Sequence, residues 1–263
     1  MSLRVAFLVG HRPSSASVLH AIAAGMREAG GNANVYESPY EPALLRADVV
    51  ALRGLDLATL AAARWLEQAG VRCCNTVAAT TLAGDKTATE QALRAADVPR
   101  PRTVTMPRWN DVRTLATAIP VVVKPYAGSR GAGVVDGDSL PEREPFPGPF
   151  VVQERIDGDG LDRKLYVVGE TVRGVLRAWP PRTLADKRGA AFVPSDDERE
   201  LALLTGRALG LELFGVDVLH GAAGPVVVDV NAFPGYKGVP DAASLLLGYL
   251  TNASAHREVA CAS

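Results

Sequence analysis

The run "VVVDVNAFPGYKGVPDAA" (Val226 to Ala243) sets a carboxylate, Asp229, and a carboxamide, Asn231, two residues apart at the end of an apolar β-branched segment. Side-chain direction in a strand repeats every second residue, so the two share a face. "FGVDVLH" carries Asp217 in a similar apolar setting. Paired side by side, the two strands would bring three oxygen donors to one patch. Left uncompensated, such a patch loses hydration and repels itself, at a cost of several kcal/mol. A hard cation removes the problem. Mg²⁺ takes oxygens at about 2.0–2.1 Å and keeps positions for water or phosphate, so two carboxylates with an amide suit it, and Mn²⁺ accepts the same donors. The competing reading leaves Asp229 and Asn231 in water on an edge strand.

"IPVVVKPYAGSRGAGVV" is a strand, a glycine-rich loop and a strand, with Lys124 closing the first strand and Gly128, Ser129, Gly131 and Gly133 in the loop. Without Cβ atoms, backbone N–H groups can close on phosphate oxygens. An ordinary glycine-containing hairpin would read the same way. Lys86 in "GDKT" offers a second ammonium, but Asp85 stands where a Walker A motif needs glycine.

These residues need elements to position them. "LRVAFLVG" reads as a buried parallel strand, followed by a helix capped at Ser14 or Ser15 and stopped by Gly30. "ANVYE", "ADVVALRG" and "VRCCN" are further strands, with a helix capped by Asp56 and ended by Gly70 between the last two. This alternation predicts an open α/β lobe over residues 1–84. Its first turn, "GHRPSS", is not a dinucleotide fingerprint. A second lobe, 85–150, holds the glycine loop and ends in "DGDSLPEREPFPGP", whose prolines and glycines predict a linker between lobes. The third, 151–263, should carry "FVVQERI", two strands around Gly169–Thr171, a helix from Asp196, a hairpin bearing Asp217 and Asp229, and a closing helix.

Taken in order, Lys86, Lys124 with its glycines, "QERI", Asp217 and "DVN" resemble the motifs of the ATP-grasp superfamily, from about Asn75 to Ala243. The resemblance implies an α/β ATP-grasp fold preceded by a small α/β lobe. It implies that Lys86 and Lys124 touch ATP phosphates beneath the glycine loop (Gly128, Ser129, Gly131, Gly133). It also implies that Gln153, Glu154 and Ile156 form the adenine hinge, and that Asp217, Asp229 and Asn231 hold Mg²⁺ or Mn²⁺. "VVVKPYAGSRGAGVV" and Asp162 with Lys164 resemble RimK-like carboxylate–amine ligases; "DVNAFPGYKGVP" also resembles inositol tris/tetrakisphosphate kinases. The ligase resemblance implies formation of an acyl-phosphate and then an amide, with ADP and phosphate released. The alternative is phosphorylation of an inositol phosphate or similar polyol. Lys164 and Arg188 are the candidates to hold the acceptor or the departing phosphate, ahead of Arg163, Arg177 and Lys187. "FPGYKG" should shape the acceptor pocket, with a carboxylate and an amine, small-molecule or peptide, as partners.

Composition closes off other classes. The chain has 263 residues, 48% hydrophobic, with net charge −1, so it carries no electrostatic signature of a nucleic-acid binder. Its apolar runs are too short for a bilayer, and its N-terminus is not that of a signal peptide. Cys73, Cys74 and Cys261 have no metal-ligand spacing and read as reduced, hence cytoplasmic. The resemblance leaves room for a homo-oligomer.

Overall fold

The computed structural model describes residues 2–126, 133–178, 183 and 188–260. The chain opens with β1 (Arg4–Val9), α1 (Val18–Glu28), β2 (Asn32–Tyr36), β3 (Val49–Arg53), α2 (Leu57–Gln68) and β4 (Arg72–Cys74). The strands form a parallel sheet in the order β2-β1-β3-β4. The chain leaves β1 in both directions, so the crevice beyond the carboxyl ends of β1 and β3 is a topological switch point. Asp56 caps α2 as expected, accepting from Thr59 N–H at 2.7 Å. The cap of α1 is Ser17 rather than Ser14 or Ser15, since the loop after β1 runs further before the helix begins.

Two helices follow, α3 (Val77–Gly84) and α4 (Lys86–Ala95). The second sheet is antiparallel, order β5-β8-β6-β7, from β5 (Thr103–Met106), β6 (Val121–Pro125), β7 (Val135–Asp136) and β8 (Phe150–Glu154). Helix α5 (Trp109–Ala118) covers it, burying Trp109, Val112, Val121, Val123, Phe150 and Val152 together. The Pro-rich stretch before Phe150 therefore joins β7 to β8 of one sheet. It does not separate two lobes, as its composition suggested, because β8 goes on to pair with both β5 and β6.

The third sheet, order β11-β10-β9-β12-β13, is antiparallel throughout. Its strands are β9 (Leu161–Val168), β10 (Thr171–Ala178), β11 (Ala190–Phe192), β12 (Leu213–Gly221) and β13 (Gly224–Ala232). One face, with Leu165, Val167, Val216 and Val227, packs on α3, α4 and α6 (Asp196–Leu209). The opposite face is apolar at one end. There Tyr166, Val168, Val175 and Leu213 share a core with β1, α1 and the last helix, α7 (Ala242–Ala260). The rest of that face is polar and carries the site.

Candidate active site

Cross-strand register lines up the charges. Lys164 on β9 lies opposite Asp217 on β12, and Asp217 lies opposite Asp229 on β13. Lys164 Nζ sits 2.7 Å from Asp217 Oδ1 and donates to Oδ2 at 3.0 Å. Although near an ammonium, Oδ1 is not oriented to accept a hydrogen bond and is a buried, orphaned acceptor. Lys86 Nζ donates to Asp229 Oδ1 at 3.0 Å, and Asn231 Nδ2 donates to Asp229 Oδ2 at 3.3 Å. The row thus reads cation, anion, anion, cation across the sheet and into α4.

A β-bulge fixes the second lysine. Asp217 pairs with Asp229 and Val218 with Val227, which leaves Val228 as the extra residue of β13. Its carbonyl, released from the ladder, accepts Lys124 Nζ at 2.8 Å, and Gln153 Oε1 accepts the same ammonium at 2.7 Å. Gln153 is buried, and its Nδ-equivalent amide, Nε2, donates to Thr103 Oγ1 at 3.3 Å. Lys124 links the second sheet to the third. A small cavity between the two sheets is lined by Lys86, Thr89, Glu90, Lys124, Gln153 and Asp229.

Lys86 owes its position to its neighbour. Asp85 caps α4, accepting from Thr87 N–H and Ala88 N–H at 2.9 Å each, and Tyr126 Oη donates to its other oxygen. Asp85 and Tyr126 were not singled out from sequence. The signal was present, since aspartate directly before a helical run is a strong N-cap.

Protonation follows from burial and company. Burial pushes the Asp217 carboxyl up to about 6, with the Asp162 and Asp229 charges adding to it and Lys164 opposing. For Asp229 burial also pushes upward, but Lys86 and Lys124 outweigh it and hold the group below the usual carboxylate range. Burial lowers the Lys124 ammonium, with Lys86 adding to the effect and Asp229 and Asp217 opposing it. Burial would lower Lys164 too, yet its contact with Asp217 leaves it raised.

The expected hinge is partly engaged. Glu154 N–H donates to Arg102 O at 2.8 Å and Arg155 N–H to Pro120 O at 3.0 Å. Among the described residues no hydrogen bond occupies the Ile156 N–H. Gly133 has φ of 78° and packs against Pro125 and Phe146, while Gly128, Ser129 and Gly131 lie outside the described residues. Arg188 is exposed, its carbonyl against Gly238.

The oxygen set suits a divalent ion. Asp217, Asp229 and Asn231 share one end of one sheet face, one carboxylate oxygen is orphaned, and the donors are hard. Among the described residues no group of three His, Cys, Asp or Glu side chains forms a metal cluster. No helix of the described residues is long and apolar enough to cross a membrane.

Solved structures share this architecture. An ATP-grasp ligase, PsnB, solved with its minimal precursor, superposes at a TM-score of 0.72 with 19% identity, over 96% of this chain and 100% of that one. A RimK domain ATP-grasp protein from Sphaerobacter thermophilus gives 0.72 with 22% identity, over 94% and 99%. The fold is therefore ATP-grasp. A family model, the RimK-like ATP-grasp domain, matches residues 83–245, and the chain belongs to that family. Curated relatives include proteins named probable alpha-L-glutamate ligase. That of Xanthomonas oryzae is 34% identical over 193 residues, 67% of this chain and 65% of the relative. That of Shewanella loihica is 31% identical over 199 residues, 69% and 66%. The match spans slightly less than two thirds of those relatives' length.

Proposed function

We propose that this chain is an ATP- and Mg²⁺-dependent ligase that activates a carboxylate as its acyl-phosphate and joins it to an amine. The observation that carries this reading is the convergence of Lys86 on Asp229 and of Lys124 on the adjoining Val228 carbonyl, with Asp217 directly opposite Asp229. Two ammoniums and a hard oxygen set facing one point are what a metal–triphosphate needs. Lys86 and Lys124 would exchange their present partners for phosphate oxygens, and the Ile156 amide would meet the adenine edge. Asp217, Asp229 and Asn231 would hold Mg²⁺, or Mn²⁺, which when bound supplies neutralisation of phosphate charge.

In the reaction, a substrate carboxylate oxygen attacks the γ-phosphorus and the bond to ADP breaks. The amine nitrogen then attacks the acyl carbon, the bond to phosphate breaks, and the nitrogen loses a proton. Rate enhancement comes from positioning and charge neutralisation, and no side chain needs to act as a nucleophile. Lys164, already on the metal-side carboxylate, and Arg188 are proposed to face the acyl-phosphate and the departing phosphate. The relatives' name supports an amino acid as one of the joined substrates. We assign the protein to the cytoplasm, consistent with the free, buried thiols of Cys73 and Cys74. The three-lobe division is retained, with its second boundary moved from 150 to just after Glu154.

Phosphorus NMR of a reaction with ATP, Mg²⁺ and candidate amino acids tests the class. Free phosphate and ADP with an amide product support it. A stable phosphate ester on an alcohol would replace it with the kinase alternative.

A further inference from the structure

The two ammoniums assigned to the phosphates stand on different bodies. Lys86 begins α4, whose apolar face packs into the core of the third sheet, whereas Lys124 lies on β6 of the second sheet. A phosphate tail is short, and the pull of each charge on it falls with distance, so both lysines grip one tail only at a suitable separation. Lysine is a point charge on a flexible stem, and its own side chain sets no such separation.

One hydrogen bond joins the immediate neighbours of these lysines. Tyr126 follows Lys124 by two residues, just past the end of β6, and its Oη donates to Asp85 Oδ2. Asp85 directly precedes Lys86, and its other oxygen accepts from Thr87 N–H and Ala88 N–H at 2.9 Å each. On the far side of Lys86, Thr87 Oγ1 and Thr105 Oγ1, from β5, share a hydrogen bond at 3.0 Å. The first turn of α4 is therefore held from the second sheet on both sides of Lys86.

A phenol donating to a carboxylate makes a short, charge-assisted bond, stiffer than one between neutral partners. The same bond raises the Tyr126 phenol above its ordinary value, so the hydroxyl keeps its proton and remains the donor. From Lys124 through Tyr126 and Asp85 to Lys86 the path is short, and both lysines are tied at their far ends as well, to Val228 O and to Asp229. Resting on the nucleotide site of the ligase reading above, we propose that Tyr126 is a positioning residue: through Asp85 it fixes the spacing of Lys86 and Lys124, and so makes the cleft select a nucleotide with a polyphosphate tail over one with a single phosphate. AMP, whose one phosphate does not span two ammoniums, is indifferent to that spacing.

The test is calorimetric titration of a non-hydrolysable ATP analogue and of AMP, each with Mg²⁺, into wild type, Tyr126→Phe, Asp85→Ser and the double variant. Serine keeps the helix cap but is too short to reach Tyr126. Tyr126→Phe should weaken the ATP analogue about fivefold or more and leave AMP within about twofold. In the Asp85→Ser background the same change should cost less than about twofold, because the bond it removes is already gone. Equal losses for the two nucleotides would make the bond merely structural and overturn the proposal. So would unchanged ATP-analogue affinity in Tyr126→Phe, or an undiminished loss in the Asp85→Ser background. Turnover keeps the two readings apart. The expected pattern of binding without amide formation sinks the ligase and leaves Tyr126 in its role, whereas amide formation with unaltered nucleotide selectivity in Tyr126→Phe sinks this proposal alone. A wild type that binds neither nucleotide sinks both.

Discussion

Asp217 and Asp229 face each other across the β12–β13 pair, and each carboxylate is held by a lysine from a different element, Lys164 from β9 and Lys86 from α4. Their side chains are 19% and 23% exposed, so neither charge is stable there without company. Lys86 and Lys124 hold Asp229 below the usual carboxylate range, whereas burial raises Asp217 in spite of Lys164, so the two facing carboxyls differ in proton affinity.

Lys124 tests the phosphate side of that exchange. Lys124→Met should raise the KM for ATP by at least about tenfold, through loss of a charged contact. Gln153 Oε1 and Val228 O would lose their donor, at about 1–3 kcal/mol, partly offset because a buried ammonium no longer has to be desolvated. Steady-state kinetics alongside urea unfolding separates the two effects, and an unchanged KM for ATP would contradict the assignment.

Helix α6 offers a control remote from the chemistry. Ser195 and Glu198 form a capping box, with Ser195 Oγ accepting from Glu198 N–H at 3.2 Å and Glu198 Oε2 accepting from Ser195 N–H at 2.8 Å. Ser195→Ala should cost about 1 kcal/mol. Glu198→Ala should cost more, because the buried carboxylate also meets His220 Nε2 at 2.9 Å. Denaturant midpoints should fall in that order with kcat unchanged.

Alkaline pH should weaken the fold. Burial pushes the Cys73 thiol from about 9 up to about 12, and raises Cys74, Tyr236 and Tyr249 as well. For each, the folded chain holds its proton more tightly than the unfolded one. The stabilisation is complete below about pH 9 and is lost as pH climbs from there towards 12. Melting temperature should therefore drop between pH 8 and pH 10.5. In a Cys261→Ser background, a disulfide reagent at pH 8 should leave Cys73 and Cys74 unmodified until denaturant is added. Rapid native labelling would contradict their burial.

Much of this was legible in the residues. Alternation alone put Asp229 and Asn231 on one face, and an apolar strand ending in lysine before glycines announced Lys124. What escaped depended on partners distant in sequence. The contact of Lys164 with Asp217 requires β9 to lie beside β12, 53 residues away. The bulge at Val228 has no signature, because "VVVDVN" alternates without interruption. Helix α3, "VAATTLAG", went unread because it lacks a polar face, being packed among α2, α4, α6 and β13. The contact of Arg53 with the Phe233 ring likewise requires the turn after β13 to lie beside the end of β3.

The most direct measurement is calorimetric binding of ADP with and without Mg²⁺ to the wild-type chain and to Asp229→Ala, with circular dichroism as the check on folding. Wild type should gain affinity with Mg²⁺, and the folded variant should lose that gain, by about 100-fold or more. Equal Mg²⁺-dependent affinity in the two proteins would show that the paired carboxylates do not hold the metal.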